Sequence, residues 1–241
     1  MANHYYPYIN KLFTQLQLRD KFFAKLSLDD SSEDFSNPFI TIAREPGSGG
    51  DPIGRAVAKK LGYTFVDDQI IEEIAHSTKK RAQIVKAIDE KARTAIGELI
   101  HSLLNPEYID ESKYVTELVR VILTYAHKGH AVILGRGANF ITPASKGLHV
   151  FVTAPYSVRV ARAMKYEGHS EKKAKKVIAQ VEKDRADFVN RFLERDINKK
   201  NSYDLVLNTT YLTVEQAQKI ILEAYYQKFP KMKGLKSLIS R

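Results

Sequence analysis

Between residues 39 and 61 a short apolar run, FITIA, passes through the turn REPGSGG into a helix-forming stretch that opens on Asp51 and Pro52. That succession restricts the fold more than any other feature of the chain. An apolar run bounded by Pro38 and a glycine-rich turn reads as a strand buried on both faces, as in a parallel sheet covered by helices. A glycine turn running into a helix N-terminus lets backbone N–H groups point at an anion, and the helix end adds positive partial charge. The segment also reads as an ordinary βα turn rich in glycine, and GSGG alone leaves both readings open.

The rest of the chain decides the architecture. Apolar runs at 64–66, 131–134, 148–153 and 205–207 predict four more strands. Between them, helical periodicity covers 53–61, 69–76, 84–104, 112–127, 157–166, 170–196 and 214–227, with Ser157, Ser170 and Thr213 placed as N-caps. Strands alternating with helices pair in parallel through right-handed crossovers, which predicts an α/β three-layer sandwich with about five strands. Ligands in such sheets bind beyond the carboxyl ends of the strands. Residues 38–229 are expected to form this domain, and 230–241 a basic tail. In residues 1–37, Leu12, Leu16, Leu18, Phe22, Phe23 and Leu26 predict a short helical appendage. An acidic linker follows it, and the appendage packs on the domain or on an oligomer partner.

Composition excludes several chemistries. The 241 residues contain no cysteine, so disulfides, thiolate zinc sites and a cysteine nucleophile are out, and a cytoplasmic setting is expected. No apolar run approaches the roughly 20 residues that span a bilayer, and no secretory leader is visible at the start. The seven histidines show no metal-ligand spacing, so no protein metal site is expected. The net charge of +10 suits solvated helix faces, small phosphorylated ligands or nucleic acid. Aromatics beside basic residues fall at core positions, which argues against nucleic acid.

Several residues carry possible chemistry. Arg136 follows the third strand between Gly135 and Gly137, where a strand-end arginine can reach a phosphate bidentately. Arg159 and Arg162 share a helix face. On the long helix from Ser170, Arg185 falls on the apolar stripe of Ala174, Val177, Ile178, Val181, Phe188 and Phe192. An inward guanidinium needs an anion, from an acidic side chain or from a bound phosphate. Asp184, Asp187, Arg191 and Arg195 form a ladder that mutual ion pairs explain. Asp67 and Asp68 close the second strand, where a carboxylate can orient an acceptor hydroxyl or simply cap a helix.

The loop departs from the G-x-x-x-x-G-K-[ST] pattern. No lysine follows Gly49-Gly50, and no serine or threonine stands next to it for magnesium. Asp51 as N-cap with Pro52 at the first helical position would occupy N–H donors and repel an anion.

The segments ITIAREPGSGGDPIGRAVAKKLGYTFVDDQII, AVILGRGA, VFVTAPYSVRVAR and YDLVLNTTYLTVEQ, in this order, resemble the cytidylate kinase-like family over residues 39–227. That branch of the P-loop kinases lacks the lysine at the position of Gly50, and many members carry a basic residue where Asp51 stands. The resemblance implies a P-loop kinase fold with a helical lid, using ATP and Mg2+ on a small nucleotide, a pyrimidine nucleoside monophosphate above all. Gly47, Ser48, Gly49 and Gly50 would cradle ATP, with Arg44 and Arg55 replacing the missing charge and Arg159 assisting. Arg136, Asp187 and Arg191 would hold the acceptor, and Arg185, Arg162 and Asp67 would act in transfer. A nucleotide-binding regulator with a degenerate loop is the alternative.

Overall fold

The structure is a computed structural model that describes residue 35 and residues 37–86, 90–103 and 113–233. The predicted appendage helices and most of the basic tail lie outside the described residues. The sheet has five parallel strands, β1 (Phe39–Arg44), β2 (Thr64–Val66), β3 (Ala131–Leu134), β4 (Gly147–Thr153) and β5 (Leu205–Asn208), in the order β2-β3-β1-β4-β5. β1 lies at the centre, where Thr41 pairs with Ile133 on one side and His149 on the other.

The strands read as continuous apolar runs because both faces are covered, and successive residues enter different cores. Phe39, Ala131 and Ile133 pack against α2 (Asp68–His76), α4 (Glu90–Leu103) and α5 (Lys113–Lys128) through Ile71, Ile96, Leu118 and Ile122. Ile40, Ile42, Val132 and Val150 pack on the other face against α1 (Gly50–Leu61) and α9 (Val214–Lys228) through Val57, Ile221 and Tyr225. The remaining helices are α3 (Thr78–Val85), α6 (Ala138–Ile141), α7 (Tyr156–Glu167) and α8 (Glu171–Leu193).

Helix ends supply both confirmations and corrections. Ser170 and Thr213 cap α8 and α9 through their hydroxyls, Thr213 within a capping box closed by Gln216. Ser157 caps nothing, because α7 starts one residue earlier after Pro155. The single helix predicted over 84–104 is replaced by α3 and α4. Ser77 ends α2 and also accepts a bond from the Lys80 N–H, so a second helix starts where the chain was read as a connector. α8 stops at Leu193, where Glu194 takes a left-handed conformation (φ 52°).

The most consequential correction concerns Asp51. α1 begins at Gly50, its N-cap is Gly49 in the left-handed region, and no side chain caps it. Asp51 sits in the first turn and bonds Arg55 one turn on, Nε to Oδ1 at 2.9 Å. The predicted blockade of the helix end by a capping carboxylate does not exist.

Candidate active site

The glycine-rich loop hangs between β1 and α1 at the carboxyl edge of the sheet, and its carbonyls are drawn backward. Glu45 O accepts from the Ser48 N–H (3.2 Å) and Ser48 Oγ (2.7 Å). Pro46 O accepts from Arg159 (3.3 Å), and Ser48 O accepts from Thr209 Oγ1 (2.7 Å) and Arg162 (3.2 Å). α1 makes its first backbone bond from Ile53 N–H to Gly49 O, so the N–H groups at the helix start have no intrahelical partner. Carbonyls tied behind and amides left in front produce an anion-binding concavity.

The struts come from α7 and β5. Arg159 is buried and bonds Glu182 (2.6 Å) and Ala154 O (2.9 Å), with Glu45 at 3.5 Å. Glu45 also accepts from Thr153 Oγ1 (2.5 Å) and the Ala154 N–H (3.2 Å). Arg162 bonds only neutral oxygens: Ser48 O, Thr209 Oγ1 (2.9 Å) and Thr209 O (2.7 Å). Both arginines thus stand under the loop as supports.

The two arginines read as substitutes for the lysine are both ion-paired. Arg44 donates to both Asp68 oxygens at 3.0 and 2.9 Å. Arg55 bridges Asp51 and Asp67, and the bond to Asp51 leads the effects that raise its pKa. Asp67 is buried and caps α2 through the Ile70 N–H (2.9 Å). Arg162 and Arg185 make no ion pair among the described residues. Arg185 donates to Arg44 O (3.0 Å), and burial, with the charge of Arg44, pulls its pKa down to about 10.

Beside the loop lies an open cleft lined by Arg44, Asp68, Arg136, Asn139, Arg185 and Phe188 among others. Gly135, Arg136 and Gly137 all have positive φ (83°, 52° and 66°), a tight turn that aims Arg136 sideways. Arg136 pairs with Glu72 and lies over the Phe188 ring, 5.7 Å from its centroid. Burial lowers its pKa. Burial alone would raise the Asp68 pKa, but Arg44, with help from Arg185, outweighs it and holds that carboxyl below the usual range. Arg136 Nε and Asn139 Nδ2 are buried without a hydrogen-bond partner.

The structure therefore brings Arg44, Arg136 and Arg185 together around one cleft, next to Gly47, Ser48, Gly49 and Gly50. Asp187 and Arg191 are exposed on α8 and do not line it. Asp68, Asn139 and Phe188 line it, and Thr209 clamps the loop. The sequence reading assigned no site role to Asn139, Phe188 or Thr209, and it weighed Asp68 beside Asp67 but chose Asp67. Phe188 was read only as part of an apolar stripe, Asp68 was overshadowed by its neighbour, and Asn139 and Thr209 carried no signal.

Gly50 offers a direct test of the loop. A Cβ there would fall 2.5 Å from Arg44 Cβ and 2.7 Å from its Cγ. Gly50→Lys is therefore expected to lower stability by about 1–3 kcal/mol, the usual overpacking cost, and not to improve nucleotide handling. Denaturant melts and nucleotide titrations check this, and tighter binding at unchanged stability would contradict it.

A glycine loop that leaves the central strand of a parallel sheet and closes on a helix N-terminus defines an α/β protein of the P-loop kinase class. Residues 39–211 match the model of the cytidylate kinase-like family. The chain belongs to that family. It is 23% identical to a cytidylate kinase of Ignicoccus hospitalis over 176 residues, 73% of this chain and 92% of that protein. It is also 33% identical to a uronate isomerase of Corynebacterium glutamicum over 120 residues, 49% of this chain but only 23% of that protein. A crystal structure of an uncharacterized protein from Eubacterium ventriosum shares the fold, with a TM-score of 0.53 and 19% identity over 78% of this chain and 97% of that one. Among the described residues no helix is long and apolar enough to cross a membrane.

Proposed function

We propose that the protein is a nucleotide kinase that moves the γ-phosphoryl group of ATP to a small acceptor, a pyrimidine nucleoside monophosphate. The observation that carries this reading is the pairing of the backward-tied loop with a cleft whose free polar groups are donors. Arg185 lacks a carboxylate partner, and Arg136 Nε and Asn139 Nδ2 lack any. Donors of this kind suit phosphate oxygens.

On this reading the amides at the start of α1 hold the donor's phosphates, while Arg136 and Arg185 draw the acceptor's anionic group toward them. Phosphoryl transfer asks chiefly for positioning and charge neutralisation, which fixed arginines supply without reorganising. Magnesium, when bound, neutralises charge on the β- and γ-oxygens. It takes few protein ligands when it arrives on phosphates. Asp51, half exposed at the loop–helix junction, is the carboxylate placed to meet it, and no set of three metal-ligating side chains occurs among the described residues.

The test is mass spectrometry of purified protein incubated with Mg-ATP and a panel of nucleosides and nucleoside monophosphates. ADP appearing together with one phosphorylated pyrimidine monophosphate is the expected result. Saturable nucleotide binding without product would overturn it in favour of a nucleotide-binding regulator. That second reading draws on the Asp51–Arg55–Asp67 bridge, which neutralises charge beside the loop.

A further inference from the structure

Asn139 stands on α6, directly after the Arg136 turn, and is 8% exposed. Its Nδ2 is buried without a partner in hydrogen-bond geometry. The Tyr203 hydroxyl beside it gives its proton to Ile197 O at 2.8 Å. Burial raises the Tyr203 pKa, and the adjacent Asn139 amide, directed at that hydroxyl, offsets part of the rise. A carboxamide nitrogen carries two N–H donors, so at least one is left over beside the cleft. A buried donor with nothing to bond is unfavourable, and such groups persist where a ligand completes them.

The neighbourhood indicates what would complete it. The cleft that Asn139 lines combines apolar Phe188, Val189 and Ile197 with the charged Arg136 and Arg185, and Arg136 lies over the Phe188 ring. The Asp68 carboxylate is held by Arg44 and is not available to Asn139.

We infer that Asn139 is a specificity-determining residue of the acceptor site. It donates to a neutral oxygen or ring-nitrogen acceptor of the bound molecule, one bond or ring away from the anionic group that Arg136 attracts. This rests on the kinase reading above and extends it. The preferred acceptor is a phosphorylated molecule with a hydrogen-bond acceptor on its non-phosphate part, and inorganic phosphate alone cannot use the amide.

The separating experiment uses Asn139→Leu and Asn139→Asp in the full chain. Titrations with CMP, UMP and inorganic phosphate run alongside thermal melts and ATP titrations of the same samples. Asn139→Leu keeps the side chain's size and removes the unmet donor, so its Tm is expected to equal or exceed that of the parent. Affinity for the preferred monophosphate should fall at least tenfold, while inorganic phosphate and ATP bind as before. Asn139→Asp should shift the CMP:UMP preference, because it replaces a donor with an acceptor.

A lower Tm with unchanged monophosphate affinity would show a structural amide and overturn the inference. Equal losses for phosphate and nucleotide would place Asn139 in the phosphate cradle and overturn it as well. If the Leu variant does not fold, the Asp variant's CMP:UMP ratio decides, and an unchanged ratio overturns the inference. Parent protein that binds ATP but no monophosphate would sink the acceptor reading itself, a separate failure.

Discussion

Replacing Arg185 by methionine is expected to lower kcat/KM for phosphoryl transfer roughly 10²–10³-fold, the usual loss when a preorganised electrostatic group is removed. The effect on stability should have the opposite sign or none. Arg185 is opposed by burial and by the charges of Arg44 and Arg136, with the Arg44 carbonyl and the charges of Asp68 and Glu182 in its favour. With a pKa near 10 it stays cationic at neutral pH, so the folded protein holds a charge that burial opposes. Removing it relieves that opposition. Arg185→Lys should recover part of the rate, as the charge returns without the planar fork. The check is steady-state kinetics with the cognate monophosphate beside a thermal melt. A variant that loses stability yet keeps its rate would show that Arg185 supports the fold, not the chemistry.

Gly47→Ala carries the largest expected loss of stability. Gly47 has φ +77°, and a Cβ there would meet Arg159 O at 2.8 Å and Arg159 Cβ at 3.0 Å. The left-handed backbone costs a non-glycine residue about 1–2 kcal/mol. Overpacking against the backbone of α7 adds about 1–3 kcal/mol. The sum, about 2–5 kcal/mol, corresponds to a drop in Tm of roughly 4–20 °C for a domain of this size. Gly62→Ala is the control, with φ +71° but nothing within 4 Å of the added carbon. It should show only the conformational part. Nucleotide binding should fail in the first variant and persist in the second, because only Gly47 lies on the loop that Arg159 supports. Calorimetry of the pair separates the two contributions, and equal melting temperatures would rule out the steric part.

The two predictions depend on different amounts of tertiary information. The sheet could be read from the chain because its cause is local and repetitive. Apolar runs such as FITIA and AVIL have no polar face to offer water, so they belong inside a sheet covered twice, and alternation with helices makes the sheet parallel. The glycine turn after the first strand could be read for the same reason, since the residues that form it are consecutive. Ser170 and Thr213 were legible as caps because capping is a contact across three residues.

Helix starts failed where two neighbouring signals competed. Asp51 is a good cap by type, yet Gly49, free to turn left-handed, ends the loop two residues earlier and gives Asp51 to Arg55. Arg185 was found on its apolar stripe, but the stripe could not say which anion it faces. The answer, a carbonyl 141 residues upstream and no carboxylate, exists only after α8 is laid beside β1.

Sequence by itself determined the layered fold, the glycine turn between β1 and α1 and the presence of an inward arginine, since periodicity and short-range turn chemistry govern all three. Tertiary structure alone decided which charges remain available. Arg44 and Arg55 are neutralised by aspartates 24 and 12 residues away, whereas Arg162 and Arg185 bond only neutral oxygens and keep their charge. Charge compensation acts through space over a few ångströms, and residues that distant in the chain become neighbours only when the strand ends converge on one edge of the sheet.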